Sequence, residues 1–405
     1  MATHTQMQYP LFSTATRANP QAVYNQMREH DPIWAGYGPN SGNRIWFFVD
    51  YEDVVAVLKN DKQFIKDARN LPPEVARRYT SDTPDPVFDA INRHLLGLDA
   101  PDHTRLRRLV HKVFTPRAIQ ALIPRIQAIA DELLDQMAGQ NEADLINAFT
   151  FPLPITVIAE MLGVEAAKRD QFKEWTTELL FGTDFEKSRI AAMSFVMYIN
   201  ELIERREHED TGDILSGLVR AEEEGDKLNR EELVSMVFLL LVAGHETTVN
   251  LMGNGMLTLM QHPQQFEMLK QQPDLMKSAV EEMLRYNGPV ETPTTRLALE
   301  TIDYKGHRIE CGDVVLPSLL GANRDPLVFD DPNTFDITRS QNPHVAFGLG
   351  VHYCVGAPLA RLEATIALTS LIARYPDMQL NTPVEALEWN PSLLIHGMKA
   401  LPVRY

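Results

Sequence analysis

The sequence carries, at residues 347–356, the stretch Phe-Gly-Leu-Gly-Val-His-Tyr-Cys-Val-Gly. Cys354 is framed there by three glycines, an aromatic residue and His352, and a run typical of a helix begins just after Pro358. Glycines let backbone N–H groups approach a sulfur atom closely, which would stabilise a metal-bound thiolate. A lone cysteine in a glycine-rich loop is more often a buried structural thiol. Other segments of the sequence are therefore needed to tell whether Cys354 is a metal ligand or a structural cysteine.

Composition and charge describe an ordinary, acidic globular protein. The chain has 405 residues, of which 44% are apolar and 23% charged, and such a composition supports a sizeable core. Its net charge of −17 argues against general binding to nucleic acid or to an anionic membrane. The two cysteines, Cys311 and Cys354, exclude a disulfide framework and a cysteine-based zinc site, and they suit a reducing cytosol. We interpret Cys311 as structural, because a strand-and-turn pattern surrounds it.

The organisation of the chain predicts one mainly helical domain. The N-terminus lacks the basic and apolar regions of a signal peptide, and the longest apolar run, 236–243, is shorter than the roughly 18 residues that span a membrane. We therefore expect a soluble, cytoplasmic protein. Strand-like stretches lie at 45–49, 294–315 and 393–403, and helical patterns dominate elsewhere. Because no linker or repeat interrupts them, we predict a single domain over residues 1–405, mainly α with small β-sheets (α+β).

A long central helix is predicted from Asn229 to Gln261. Asn229 with Glu232 three residues on is an N-cap signature, and about 33 residues would reach roughly 50 Å. Within it, residues 243–248 read Ala-Gly-His-Glu-Thr-Thr. This segment contains poor helix formers and an acid that is costly inside an apolar helix unless it has a task. It predicts either a cap-like break with a solvated glutamate or a local distortion that opens a groove for O₂.

Two further helical segments carry charged pairs on one face. Glu282 and Arg285 are three residues apart, and alone they indicate a surface ion pair that contributes less than about 1 kcal/mol. His103 and Arg107 are four residues apart, and alone they indicate a solvated face. Either pair could instead have a structural or binding role if it lies beside the loop of Cys354.

Together these segments resemble the cytochrome P450 family. Residues 347–356 match its haem-binding loop, Phe-Gly-x-Gly-x-His-x-Cys-x-Gly, at every fixed position, and residues 243–248 match its Ala/Gly-Gly-x-Asp/Glu-Thr-Thr/Ser segment. The pair Glu282 and Arg285 follows in the order expected for the family's Glu-x-x-Arg motif. The resemblance covers essentially the whole chain. It implies the cytochrome P450 fold, a triangular prism of helices around a haem that lies between the central helix and the loop of Cys354.

The resemblance also implies the cofactor and the residues that contact it. Heme b would be bound with Cys354 as the thiolate ligand of the iron, a ligand that favours O–O cleavage. The two haem propionates need cationic or N–H donors, and the expected donors are His103, Arg107, Arg296 and His352. In the central helix, Thr247 would be the oxygen-stabilising hydroxyl and Glu246 the acid that delivers protons.

Two charged clusters gain an expected role from the same resemblance. Three residues are expected to lock the segment that leads to Cys354 through charge-assisted hydrogen bonds: Glu282, Arg285 and Arg339. Three others form a basic helix face that would dock a redox partner by salt-sensitive attraction: Arg105, Arg108 and Lys112. Such faces are more often simply solvated. Electrons are expected from a separate ferredoxin or flavodoxin with its NAD(P)H-dependent reductase.

The implied reaction inserts one oxygen atom of O₂ into a C–H or C=C bond, giving hydroxylation or epoxidation. A peroxide-driven peroxygenase is an alternative, but such relatives usually lack the acid–threonine pair that Glu246 and Thr247 provide. A haem-binding sensor or a carrier-protein-docking module without turnover is a second alternative, and the same pair argues against it. Rearrangement or C–C coupling is left open by the sequence.

The substrate is left open as well. The expected pocket walls are largely apolar, which suits a terpenoid, fatty acyl, steroid or polyketide ligand: residues 70–97, 165–195, 290–293, Val242, Ala243, Leu393 and Leu394. Arg77 and Arg78 would hold a substrate carboxylate, or more commonly are just solvated. Glu291 is a weaker candidate contact for a cationic or hydroxylated ligand. His396 stands where many soluble bacterial relatives have arginine, with no expected catalytic consequence.

Overall fold

The computed structural model describes residues 9–38, 42–79, 85–223 and 225–405, and α-helices dominate them. The helices are α1 (Thr14–Ala18), α2 (Pro20–His30), α3 (Tyr51–Lys59), α4 (Pro73–Ala76), α5 (Pro86–Asn92), α6 (Asp102–Val113), α7 (Pro116–Gln120), α8 (Ile123–Met137), α9 (Pro152–Met161), α10 (Arg169–Phe181), α11 (Phe185–His208), α12 (Ile214–Arg220), α13 (Arg230–Gln261), α14 (Pro263–Gln271), α15 (Met276–Asn287), α16 (Leu319–Ala322) and α17 (Ala357–Arg374). The predicted mainly α class is confirmed. Residues 80–84 of the predicted pocket-wall segment 70–97 lie outside the described residues.

The strands are short and form small sheets. They are β1 (Ile33–Tyr37), β2 (Arg44–Phe48), β3 (Phe64–Ile65), β4 (Glu142–Asp144), β5 (Glu222–Glu223), β6 (Asp226–Lys227), β7 (Arg296–Ala298), β8 (Ile302–Tyr304), β9 (His307–Ile309), β10 (Val314–Pro317), β11 (Gln379–Leu380) and β12 (Pro402–Arg404). One sheet has the order β1-β2-β10-β7-β3, another has the order β11-β12-β4, and β5–β6 and β8–β9 are hairpins. In the five-stranded sheet β10 runs parallel to β2, and the other pairs are antiparallel.

Two of the three strand predictions are confirmed. The stretch 45–49 contains most of β2, and 294–315 contains β7, β8, β9 and the start of β10. The stretch 393–403 forms isolated bridges at Ile395 and Met398, and no continuous strand, until β12 begins. There the Ser392 hydroxyl accepts the backbone N–H groups of Leu394 and Ile395 at 3.1 and 3.0 Å. This local turn competes with strand pairing, as serine side chains often do.

The five-stranded sheet is buried on both faces. Trp46 and Phe48 of β2 pack into one apolar cluster, while Phe47 between them packs into another. Alternate side chains of a strand point to opposite faces, so this aromatic run anchors the sheet between two cores. The sheet holds β7, and β7 begins with Arg296.

The central helix α13 organises the helical part of the molecule. Asn229 and Glu232 form the predicted capping box, and the helix spans 32 residues. By length and composition α13 could cross a membrane, but 67% of its apolar window is buried inside the protein. A helix that is apolar on most faces is the expected centre of a large core. α13 contacts α5, α9, α11, α15 and α17.

Four aromatic residues of α10 and α11 serve helix packing. Phe172 makes edge-to-face contacts with Trp175, Phe195 and Tyr198 at centroid distances of 5.0–5.3 Å. These residues therefore pack α10 against α11. Phe185 differs, because it is exposed and lies 5.7 Å from Phe88 of α5.

Candidate functional site

The loop before α17 is shaped by glycines that adopt a left-handed backbone. Gly348 and Gly350 have φ angles of +68° and +72°. A Cβ atom at Gly350 would lie 2.8 Å from the Leu58 carbonyl oxygen, so both the conformation and the space require glycine. The Cys354 N–H donates to the Phe347 carbonyl at 3.0 Å. The loop therefore holds the cysteine backbone in one position at the N-terminal end of α17.

The Cys354 thiol is accessible, although protein surrounds it on most sides. The residue is exposed, yet partial enclosure still raises its pKa, while the backbone N–H groups of Gly356 and Ala357 act in the opposite direction. The charges of Arg107 and Arg361 also lower the pKa of this thiol. These N–H groups and cations are the features that stabilise a thiolate once a metal neutralises it.

Three predicted propionate donors come together beside this loop. The His103 and His352 rings lie 4.3 Å apart between centroids, and Arg296 is 3% exposed. His103 Nε2, His352 Nδ1 and one terminal nitrogen of Arg296 are buried without a hydrogen-bond partner among the described residues. A buried polar atom without a partner costs about 1–3 kcal/mol. The cluster therefore fits a ligand that brings carboxylate oxygens to these nitrogens, as haem propionates would.

The electrostatics of the cluster agree with an anionic ligand. Burial lowers the pKa of Arg296 to about 10. Burial, and then the neighbouring His103, Lys66, Arg296 and Arg107, lower the pKa of His352 to about 2. Positive groups are thus crowded at this point, and each disfavours a further positive charge.

Lys66 belongs to this cluster but was missed by sequence reasoning. Its ammonium donates to the Thr294 carbonyl, to the Thr294 hydroxyl at 2.7 Å and to the Thr295 carbonyl at 3.2 Å. Burial, and then the charge of Arg296, lower the pKa of Lys66 well below its usual value. The only signal in the sequence is its position directly after the two apolar residues of β3.

Arg107 lies at the same place but holds the loop itself. Its terminal nitrogens donate to the carbonyls of Val351 and Tyr353 at 2.7 and 2.6 Å, and its Nε lies 3.2 Å from His111 Nε2. The expectation that it contacts a propionate stays a prediction. These hydrogen bonds fix the backbone on both sides of His352.

The segment 243–248 lies in the middle of α13 without a break. The structure is helical throughout Arg230–Gln261 and Glu246 is buried, so the expected cap-like break with a solvated glutamate is wrong. The local distortion that would open a groove for O₂ stays a prediction. The Thr247 hydroxyl donates to the Ala243 carbonyl at 3.0 Å, a bond to the preceding turn that often bends a helix. Ala243 is exposed and Thr247 half-buried, whereas most of the helix around them is buried. This face of α13 therefore borders accessible space.

Glu246 is held next to that face. It is 8% exposed, and one carboxylate oxygen lies 3.4 Å from His245 Nε2. His245 is fully buried, and its Nδ1 lies 2.7 Å from the Leu241 carbonyl oxygen. The Glu246 carboxylate thus has one histidine beside it and lies next to Thr247 in the sequence.

The Glu-x-x-Arg network is present, and its Glu282 and Arg285 side chains are fully buried. Arg285 Nε and one of its terminal nitrogens donate to the two carboxylate oxygens of Glu282, each at 2.7 Å. Its other N–H groups donate to the carbonyls of Asn323, Pro332 and Thr334 at 3.1, 2.8 and 3.0 Å. Arg339 Nε lies 3.3 Å from Glu282. The network therefore ties α15 to the chain segment that leads into the cysteine loop.

Two predicted surface or pocket contacts are corrected by the structure. Arg105 makes an ion pair with Glu232, and the Lys112 ammonium donates to the Glu222 carbonyl at 2.7 Å, so the expected basic face is largely occupied by intramolecular contacts. Glu291 is buried and bonded to Arg17 and Tyr24.

That pairing removes Glu291 from the set of expected ligand contacts. Its carboxylate is enclosed by an arginine and a tyrosine, so the side chain has a structural partner at each oxygen. His396 is likewise structural. Its ring stacks on Trp389 at a centroid distance of 4.4 Å, and its Nε2 lies 2.9 Å from Asn287 Oδ1.

Comparison with known proteins agrees with this geometry. Residues 155–396 match the family model for cytochrome P450. Cytochrome P450 107B1 of Saccharopolyspora erythraea is 45% identical over 382 residues, which cover 94% of each chain. The chain belongs to the cytochrome P450 family.

Solved P450 structures resemble it over nearly its whole length. PksS, the cytochrome P450 of the bacillaene polyketide synthase of Bacillus subtilis 168, gives a TM-score of 0.91 at 40% identity and covers 98% of this chain and 99% of its own. The myxobacterial P450 CYP267B1, solved with myristic acid, also gives a TM-score of 0.91, at 44% identity over 98% of both chains. This chain is therefore a P450 monooxygenase, and its family implies a haem with a cysteine thiolate ligand.

Proposed function

We propose that the protein binds heme b through Cys354 and inserts one oxygen atom of O₂ into a C–H or C=C bond of an apolar substrate. The observation that supports this best is the meeting of two features at one place. The accessible Cys354 thiol lies on a glycine-shaped loop. Beside the same loop lie three buried nitrogens without partners, which carboxylates would satisfy. The same two features would be difficult to explain in a protein that never bound haem.

The residues around the cofactor have separate tasks in this proposal. Cys354 supplies the thiolate, and the haem, when bound, supplies the redox chemistry that reduces and cleaves O₂. The propionates are held by His103, Arg296 and His352, and Arg107 holds the loop from outside and adds its charge. The N–H groups of Gly356 and Ala357 point toward the sulfur and set its electron donation.

Protons are delivered along α13 in this proposal. The Thr247 hydroxyl donates to Ala243 in the resting structure, and a rotation about its Cα–Cβ bond turns it toward the accessible face. Glu246 lies at the edge of that face and is the acid that resupplies the proton. The alternative of a peroxide-driven peroxygenase needs neither residue.

The proposed substrate is a long, apolar acyl or polyketide chain. The face of α13 that borders accessible space carries Val242 and Ala243, and the predicted wall residues Leu393 and Leu394 are half-buried and exposed apolar side chains. The related PksS belongs to a polyketide synthase system, and CYP267B1 was solved with myristic acid, which favours this class among those left open. Apolar walls with few polar groups suit such ligands.

In this proposal the enzyme is cytoplasmic, and residues 1–405 form one domain. In support, one continuous apolar cluster contains residues from Ile91 to Val403. Electrons come from a separate ferredoxin or flavodoxin and its NAD(P)H-dependent reductase. Arg108 of the predicted basic face is exposed on α6. Among the described residues it has no intramolecular partner, so it remains available to a redox partner.

The test is turnover with a ferredoxin or flavodoxin system and a panel of fatty acyl and polyketide substrates under ¹⁸O₂. We expect one labelled oxygen in the product. Thr247→Ala should divert reducing equivalents to peroxide, lowering product per NAD(P)H by about tenfold. Thr258→Ala is the matched control, because Thr258 lies on the same helix and donates to Asn254 O at 2.7 Å, and it should leave coupling unchanged.

Other outcomes would point to the alternatives. Product formed with hydrogen peroxide alone, at a rate that Thr247→Ala does not change, would indicate a peroxygenase. Haem binding without ligand-stimulated NAD(P)H consumption across the panel would indicate a sensor or docking module.

A further inference from the structure

Two cations face each other across one edge of the five-stranded sheet. Strand β3 pairs antiparallel with β7, with Phe64 opposite Ala298 and Ile65 opposite Leu297. Lys66 follows this pair directly, and its ammonium donates to Thr294 and Thr295, the two residues that precede Arg296. The charge of Arg296 also acts on Lys66, and like charges brought together on neighbouring strands are destabilising. The pairing therefore calls for an anion between them.

The protein itself does not supply that anion in the described residues. Neither Lys66 nor Arg296 makes an ion pair with a carboxylate there. Asp99 is the acid that attracts both. Its two oxygens, however, accept the backbone N–H groups of Lys66 and Asp67 at 2.9 Å and the Asn70 side chain at 3.0 Å. Because the Asp99 carboxylate is already bonded to these groups, it neutralises the charges of Lys66 and Arg296 incompletely.

The nitrogens beside them are also incomplete. His103 Nε2, His352 Nδ1 and one terminal nitrogen of Arg296 have no partner among the described residues, and the charge of Lys66 acts on His352. Among the residues that the structure describes, the Lys66 ammonium is bonded to neutral oxygens of Thr294 and Thr295 alone. A group with two carboxylates would satisfy the nitrogens and neutralise both cations at once.

We propose that Lys66 is a further propionate-holding residue, acting beside Arg296 and tying the carboxylate edge of the haem to residues 294–295. This rests on the proposed function, since it requires that haem binds. The Thr294 hydroxyl can rotate, so the ammonium can exchange that one hydrogen bond for a propionate oxygen while it keeps its bonds to the two backbone carbonyls. Lys66 is thus a positioning residue for the cofactor and has no contact with the reacting atoms in this proposal.

The test measures haem release to excess apomyoglobin from wild type, Lys66→Met, Lys66→Arg and Lys62→Met. Each protein is loaded either with haem or with haem dimethyl ester, in which both propionates are esterified. With haem, Lys66→Met should release the cofactor about tenfold faster, since a charge-assisted hydrogen bond is lost. Lys66→Arg should restore most of the retention, and Lys62→Met, an exposed residue of the same segment, should match wild type.

The decisive comparison is between the two cofactors. With the dimethyl ester, wild type and Lys66→Met should release at the same rate, because the partner of Lys66 is gone. The reduction midpoint should also fall in Lys66→Met with haem and not with the ester. Equal acceleration with both cofactors, or none with either, would overturn the assignment. A wild-type protein that binds no haem would refute the proposed function instead.

Discussion

Replacing Arg285 by lysine should destabilise the protein far more than its conservative appearance suggests. All five guanidinium N–H groups have acceptors: two carboxylate oxygens of Glu282 and three backbone carbonyls, at 2.7–3.1 Å. A lysine ammonium has three N–H groups on a point charge. At least two of these acceptors therefore lose their donor, inside a cluster that is fully buried.

The expected cost follows from those two lost bonds. Hydrogen bonds to charged groups contribute about 1.5–3 kcal/mol each, so Arg285→Lys should cost roughly 3–6 kcal/mol. Folded domains are stable by only about 5–15 kcal/mol. We therefore expect a protein that unfolds at much lower urea concentration and loses its cofactor readily.

The assay is urea unfolding followed by tryptophan fluorescence, with Arg125→Lys as the matched control. Arg125 also grips a glutamate with two N–H groups, at 2.8 and 2.9 Å to Glu160, but this pair is 43% and 31% exposed. Exposed pairs contribute about 0–1 kcal/mol, so the control should shift the midpoint little. Similar losses for the two variants would refute the argument from burial and hydrogen-bond number.

Three further outcomes are expected. Burial raises the pKa of Glu363 well above its usual value, so the folded state holds that proton and the contribution of Glu363 to stability should be fullest below roughly pH 4.3. It should then fall as pH rises through the folded pKa; Glu363→Gln should flatten this fall in urea titrations across pH, and an unchanged slope would exclude Glu363 as its source. Arg17→Met should cost about 3–5 kcal/mol by stranding buried Glu291, and adding Glu291→Gln should recover part of it; equal stability of single and double variants would contradict the pairing. Arg108→Glu should slow ferredoxin-dependent haem reduction in stopped-flow measurements without changing substrate affinity. The control Arg308→Glu, on the β9 strand of the β8–β9 hairpin, should change neither the reduction rate nor the substrate affinity. An unchanged reduction rate in Arg108→Glu would remove Arg108 from the docking surface.

Features encoded within a few neighbouring residues could be predicted from the sequence. The cysteine loop depends on two glycines, Gly348 and Gly350, that adopt positive φ angles, and the capping box of α13 lies within four residues. The Glu282–Arg285 pair needs only the spacing of one helical turn. In each case the interacting groups are close in the chain, so the local pattern contains most of the information.

Features that depend on distant pairing could not be predicted. Lys66 acquires its surroundings because β3 pairs with β7, more than two hundred residues further along the chain. Arg17 meets Glu291 across a similar separation. No local pattern distinguishes these side chains from solvated ones. The expected cap-like break in α13 failed for another reason: burial of the helix outweighs the weak propensities of glycine and threonine.

The most direct test of thiolate ligation by Cys354 is the carbon monoxide difference spectrum of the dithionite-reduced, haem-supplemented protein. Wild type and Cys311→Ser should both show the strongly red-shifted Soret band of a thiolate-ligated haem, since Cys311 lies half-buried near the β9–β10 turn and bonds to the Leu299 carbonyl at 3.1 Å. Cys354→Ser should lose that band. A shorter-wavelength band in the wild type, or no haem band in well-folded protein, would contradict ligation by Cys354 and the function built on it.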